Sequence, residues 1–426
     1  MDEDKKSLLK DGEEYIKKLG PGLITGAADD DPSGIATYSQ TGAQYGTGLI
    51  WLAAWTFPLM AMVQEMCARI ALVTGRGLAS NIKHTYPRNV LYICTILLFI
   101  ANTLNIGADL GAMAKAIQLI APDISFVFLV VFIGFFSLLL QVFIPYKKYA
   151  QYLKWLVFAL FSYIITGLII KMNWSELLYN GLIPNIEFSK TQILLITGIL
   201  GTTISPYLFF WQTSQEVEEQ IAEGKTTVHS RRGTNDMEIK KMRVDVWTGM
   251  FLSNLVMFFI IAVCANTLFK NGITNINSAS DAAMALAPFA GKWATYLFAV
   301  GIIGTGMLAI PILAGSTSYA ISESFGWKEG LYRKLNEARA FYGIIIISII
   351  IGILINFIGI DPIKALIYSA IANGIVAPII IVFIVHISGS KRIMGHYKNS
   401  RFGNIAGWSI TTLMTITALG AIYSLF

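Results

Sequence analysis

Cysteine is scarce in this chain of 426 residues: Cys67, Cys94 and Cys264 are the only three, scattered through apolar runs. They offer no CxxC pair and no disulfide framework, so they read as core filling. Histidine is nearly as rare, and His84, His229, His386 and His396 fall in loops or at a helix end. No nucleophile–base pair or metal-hydrolase motif occurs, so neither an enzyme nor a cofactor is expected. Charged residues are few, at 14%, against 55% hydrophobic and a mean hydropathy of +0.60. That excludes an ordinary soluble domain and points to an all-α, multi-pass membrane protein. A cleavable signal peptide is not expected, because the polar start Met1-Asp2-Glu3-Asp4-Lys5-Lys6 leads into no short apolar run ending at a small-residue site.

Long apolar runs are what the chain does have. Eleven are long enough to span, at about 19–46, 47–73, 90–119, 124–145, 150–172, 189–214, 243–268, 291–322, 340–360, 362–389 and 403–426. Helices are expected throughout, since open strands cannot satisfy their edges in lipid. With residues 1–18 as a cytoplasmic arm, only Lys171, Lys190, Lys270 and Lys292 fall outside, and Lys115 and Lys364 lie near the outer ends of spans. The rest, including Lys147-Lys148, Arg231-Arg232 and Lys391-Arg392, lie inside, as the positive-inside rule requires. Topology thus accounts for the net charge of +6, and nucleic acid drops out as a partner. A solvated cytoplasmic loop is expected at about 215–242.

Proline interrupts two spans, at Asp31-Pro32-Ser33-Gly34 in the first and Ser205-Pro206-Tyr207 in the sixth. Proline has no N–H to give the carbonyl four residues back, which frees Ala28 C=O and Thr202 C=O. Free carbonyls at membrane depth need a polar partner. Spans 1–5 and 6–10 each begin with a broken helix, and five spans is odd, so the sets are related by an inverted repeat. Such repeats meet at the bilayer midplane. This divides the transporter domain, 19–426, into a first repeat at 19–172, a second at 189–389 and an extra helix at 403–426. Two structural proline kinks are the competing reading.

The candidate cation site comprises Asp31, the Thr202 and Ala28 carbonyls, Ser205 and Gly34, whose lack of a side chain lets backbone approach a ligand. Both first half-helices direct a negative dipole end there. No cysteine, histidine or methionine adjoins either break in sequence. Oxygen-only donors suit magnesium or calcium better than manganese, iron or zinc. Asp30, Asn102, Asp109, Tyr207, Gln212 and Asn373 are further cavity candidates. Structural hydrogen bonding is the plainer role for Asn102 and Asn105, while Asn373-Gly374 with Pro378 marks an irregularity in span ten. Asp29, Asp30 and Asp31 point in three directions on a helix and cannot all face one ion.

Gly20-Pro-Gly-Leu-Ile-Thr-Gly, Asp31-Pro-Ser-Gly and Thr41-Gly-Ala-Gln-Tyr-Gly resemble the first span of the NRAMP metal-ion transporters. Gln64, Ala68-Arg69 and Val73-Thr74-Gly75 resemble the end of that family's second span, and Gly198-Ile-Leu-Gly-Thr-Thr-Ile-Ser205-Pro-Tyr207 its broken sixth. The resemblance implies a LeuT-like fold and import of divalent transition metals with protons. It carries over Asp31 as charged ligand and the Thr202 carbonyl. The family's DPGN reads DPSG here, so an asparagine ligand is Gly34. Its MPH reads Ser205-Pro206-Tyr207, replacing methionine with Ser205, and a second histidine is Gln212. Of its third-span acids only Asp109 remains, with Asn102 and Ala112 at the glutamate positions. These departures resemble the NRAMP-related magnesium transporter branch.

The expectation is therefore a monomeric cell-membrane transporter, eleven helices in an inverted 5+5 arrangement, importing partly hydrated Mg²⁺ without proton coupling. A broad Mn²⁺ importer on the same site is the alternative. A non-transporting membrane metal sensor is the rival from another class.

Overall fold

A computed structural model describes residues 20–144, 160–276 and 278–424, all helix and connection. The expected N-terminal arm, Lys147-Lys148 and most of the fifth span lie outside these residues. The first span is two helices, α1 (Pro21–Asp29) and α2 (Pro32–Tyr45). Then come α3 (Trp51–Thr74), α4 (Leu78–Thr85), α5 (Arg88–Ile120), α6 (Phe126–Phe143) and α7 (Phe161–Ile169). The second half has α8 (Trp174–Leu182), α9 (Lys190–Thr203), α10 (Pro206–Ala222) and α11 (Asp236–Thr267). It ends with α12 (Ala294–Phe325), α13 (Arg339–Ile355), α14 (Pro362–Gly389) and α15 (Arg401–Ser424).

Among the described residues, eight helical stretches are long and apolar enough to cross a membrane, not eleven. The first span falls short because each half is brief. The ninth, Arg339–Ile355, is a shorter apolar helix, and only 161–169 of the fifth is described as helix. About a third of the apolar stretch is buried in α6 and in α15, against 89% in α9–α10. The broken sixth span therefore runs through the protein interior, while α6 and α15 lie at its edge.

The expected loop at 215–242 is mostly helix. Glutamate, glutamine and alanine, all good helix formers, carry α10 on to Ala222. The Asn235 side chain accepts the Glu238 N–H and starts α11 at Asp236. Nor is span ten interrupted: α14 is continuous through Asn373, Gly374 and Pro378. Gly374 serves close packing instead, because a Cβ there would sit 2.3 Å from the Thr197 carbonyl oxygen. Facing it, a Cβ on Gly201 would lie 2.1 Å from the Ala370 carbonyl oxygen. Backbone contact between α9 and α14 thus fixes where the sixth-span break sits.

Candidate ion site

Both prolines start a half-helix rather than bending a continuous one. Pro32 is the first residue of α2 and Pro206 of α10, where a missing N–H leaves no bond unmade. The chain opens just before each. Asp31 is extended at φ −68°, ψ 170°, and Ser205 at φ −81°, ψ 135°.

The Asp31 side chain has a structural role in the fold. Its Oδ1 caps α2, accepting the Gly34 N–H at 2.8 Å and the Ser33 hydroxyl at 2.6 Å. Thr202 Oγ1 reaches the same oxygen at 3.5 Å and lies 3.3 Å from Ser33 Oγ. These contacts join the two breaks. Asp31 Oδ2 accepts from Asn105 Nδ2 at 2.8 Å, and a carboxylate oxygen has more than one acceptor position, so it has capacity left for a cation. Gly34 fits because a Cβ there would lie 3.1 Å from Thr202 Oγ1.

The two expected carbonyls are close at hand but not free. Ala28 O accepts from the Tyr207 hydroxyl at 3.2 Å, which bridges α10 to α1. Thr202 O accepts from Ser205 Oγ at 2.6 Å, and that hydroxyl also lies 2.7 Å from Gly201 O. Each carbonyl oxygen keeps a second lone pair, so an ion would share it with a hydroxyl. Ser205 points its one proton back at the end of α9, leaving its own lone pairs outward.

The three adjacent aspartates diverge as expected. Asp29 and Asp30 share the Ser253 hydroxyl of α11, at 2.6 and 3.3 Å, while Asp31 faces α5. Asp30 is therefore not beside the Asp31 carboxylate but turned toward α11. Among the described residues, no three His, Cys, Asp or Glu side chains converge on one point.

The other candidates separate. Asp109 is fully buried near Asp31 and Tyr207 and, among the described residues, has no hydrogen-bond partner on either oxygen. Asn102 turns away, donating to Leu313 O, Ser316 Oγ and Thr317 Oγ1 on α12. Gln212 donates to Glu216 along its own helix. Asn373 is buried with neither polar atom bonded. Asn105, expected to be structural, instead touches the central carboxylate.

One elimination fails. Sulfur is absent from the sequence next to each break but present in space. Met257 Sδ of α11 lies 4.0 Å from Thr203 Oγ1. Met113 of α5 packs at Gly306 beside Pro32: a Cβ on that glycine would be 2.5 Å from Met113 Sδ and 3.3 Å from Pro32 Cγ. Contacts brought in from other helices are invisible to a search along the chain.

Known proteins share both sequence and fold with this chain. The sequence model of the family described as "Natural resistance-associated macrophage protein-like", Nramp, matches residues 22–424. The divalent metal cation transporter MntH of Caldanaerobacter subterraneus subsp. tengcongensis is 26% identical over 416 residues, covering 94% of this chain and 91% of the relative. MntH of Klebsiella pneumoniae subsp. pneumoniae is 23% identical over 406 residues, covering 93% and 91%. In structure, an Eremococcus coleocola manganese transporter aligns with TM-score 0.77 at 20% identity, over 97% of this chain and 87% of that one. Mhp1, a nucleobase-cation-symport-1 family transporter, aligns with TM-score 0.57 at 12% identity, over 96% and 91%. The expected LeuT-like fold is the one these structures share with the chain. All these relatives are named as transporters.

Proposed function

Because the chain belongs to the natural resistance-associated macrophage protein-like family, we propose that it is a secondary transporter of divalent metal cations, with its ion site where the two broken spans meet. The observation that carries this reading is the contact of Thr202 Oγ1 with Asp31 Oδ1. It brings a buried carboxylate to the C-terminal ends of α1 and α9, two negative dipole ends directed at one point. Asp31 supplies the formal charge through Oδ2. The Thr202 and Ala28 carbonyls and Ser205 Oγ supply neutral oxygen, and Asp109 a second carboxyl group nearby.

Relatives named as manganese or divalent metal transporters favour Mn²⁺ among the cargoes. The sulfurs of Met257 and Met113 beside the breaks fit that reading, since borderline metals gain from soft ligands. Magnesium is the second reading, favoured by one observation: among the described residues, the hydrogen-bond partners of the Asp31 carboxylate and of the Ser205 hydroxyl are oxygens and N–H groups, with no sulfur among them. In either case the basic-residue bias sets the N-terminus in the cytoplasm, and the two five-span sets form an inverted repeat. An inside-negative potential favours influx of a dication by about 4.6 kcal/mol per 100 mV, twice the single-charge value, without a coupled proton.

Uptake into liposomes of Mn²⁺ and Mg²⁺, with internal pH recorded, tests this. Influx of either ion without acidification, abolished in Asp31→Ala, is expected. Asp31→Ala uptake at the parental rate refutes the site, and proton-linked Mn²⁺ influx with Mg²⁺ excluded refutes the magnesium reading.

A further inference from the structure

Asn105 occupies the place beside Asp31 that an ion on Oδ2 would approach. Its Nδ2 donates to Asp31 Oδ2 at 2.8 Å, and its Oδ1 accepts from Ser369 Oγ of α14 at 2.7 Å. Charge fixes this orientation, because an anionic carboxylate facing the amide oxygen would place acceptor against acceptor. Oδ1 is thereby left to Ser369, whose hydroxyl carries a single proton. Ser369 Oγ also lies 2.8 Å from the Leu366 carbonyl oxygen on its own helix. That proton has two acceptors in reach and serves one at a time.

A dication on Asp31 Oδ2 reverses the electrostatics. The N–H end of Asn105 then faces positive charge, and the amide oxygen becomes the favoured end. A half-turn of the amide puts Oδ1 toward the ion and Nδ2 toward Ser369. Ser369 now accepts from Asn105 and donates to Leu366 O. Every polar group is bonded in both arrangements, no proton changes owner, and the backbone stays in place. We propose that Asn105 is an additional ion ligand that bonds Asp31 through its amide N–H and turns its oxygen to the ion on binding, with Ser369 as the hydroxyl that permits the turn. Asn102, three residues earlier, has no such freedom, being anchored on α12.

This inference rests on the divalent-cation reading, and the test separates the two. Affinity for Mn²⁺ and for Mg²⁺ is measured by calorimetry on the purified full chain, with KM and Vmax in liposomes, for N105L, N105D, S369A, S369T and D31A. N105L is expected to weaken binding roughly tenfold or more, the loss of one bond to a charged group. N105D keeps an oxygen ligand and binds at least as tightly as the parent. S369A weakens binding about threefold and S369T restores it, on the scale of one neutral hydrogen bond. Parental affinity in N105L, or N105D falling as far as N105L, overturns the proposal. If N105L does not fold, S369A matching the parent overturns it as well. D31A inactive with N105L parental sinks this inference alone, whereas D31A at the parental rate sinks the site reading beneath it.

Discussion

Removing Asp245 is expected to release the first half of the first span, α1. Helix α1 has no side-chain cap of its own. Its first N–H groups are satisfied from α11 instead: Asp245 accepts from Gly20 at 2.8 Å, Gly22 at 2.7 Å and Leu23 at 3.2 Å. The same surface is packed backbone to backbone, since a Cβ on Gly26 would lie 2.3 Å from the Gly249 carbonyl oxygen. The carboxylate stabilises only the arrangement in which α1 lies against α11. Losing a helix cap costs about 0.5–2 kcal/mol, and a carboxylate serving three N–H groups belongs at the upper end. About 2 kcal/mol corresponds to a roughly thirtyfold shift between arrangements. A cysteine placed at Ile24, in a background lacking Cys67, Cys94 and Cys264, reports the change through an impermeant maleimide added to both sides of the membrane. Asp245→Ala should label about thirtyfold faster than the parent, and Asp245→Asn by an intermediate factor, because it keeps one acceptor oxygen. Folded Asp245→Ala protein that labels at the parental rate refutes the reasoning.

Three further outcomes are expected. Ser205→Met should raise Mn²⁺ or Cd²⁺ binding relative to Mg²⁺ in competition uptake, and an unchanged preference counts against Ser205 as a ligand. Gly201→Ala should lower thermal stability by at least about 1–3 kcal/mol, because its Cβ meets backbone of α14. Gly198→Ala, whose Cβ would find its nearest atom at 3.4 Å, should be close to neutral, and equal losses in the pair would refute the packing account. Glu329, in the connection between α12 and α13, is pushed up to about 9 by burial and by the nearby Glu323 and Glu218 carboxylates. Its folded value exceeds the usual 4.5, so the unfolded chain binds fewer protons between those values, and stability falls as pH rises from about 4.5 to 9, then levels off. Glu329→Gln should flatten that fall in a melting-temperature series, and an unchanged slope would refute the assignment.

Much of the fold was legible because lipid leaves few choices. Apolar run length located most helices within a few residues, and 362–389 matches α14 end to end. The errors came where run length ceases to report helix length. Beyond the apolar part, α10 and α11 continue as polar helices, since helical propensity and an asparagine cap do not depend on lipid. The Asn373-Gly374 pair read as a break because glycine weakens helices, yet here it lets two backbones touch. That Asp31, Thr202, Ser205 and Gly34 lie together was legible because a proline in an apolar run leaves a local trace. Ala28 was too, although its bond to Tyr207 was not.

The side of the candidate site that the sequence showed least is one face of α5, of which only Asp109 stood among the cavity candidates. Asn105, Asp109 and Met113 recur every fourth residue and so stand one above another on a helix. Asn105 touches Asp31, Asp109 lies within range of its charge, and Met113 packs at the glycine beside Pro32. Scanning for residues adjacent to the breaks cannot find such a set, because an uninterrupted helix adds ligands at its own period rather than beside a proline. The same spacing would have exposed the face in the sequence: an amide and a carboxylate aligned one turn apart in a largely apolar span are costly in lipid and gain from facing inward, and the thioether shares their face. On the proposed ion site, selectivity would not rest on Ser205 alone: the broken helices offer oxygen, the unbroken one offers an amide and a sulfur, and hard and borderline ions weight those two faces differently.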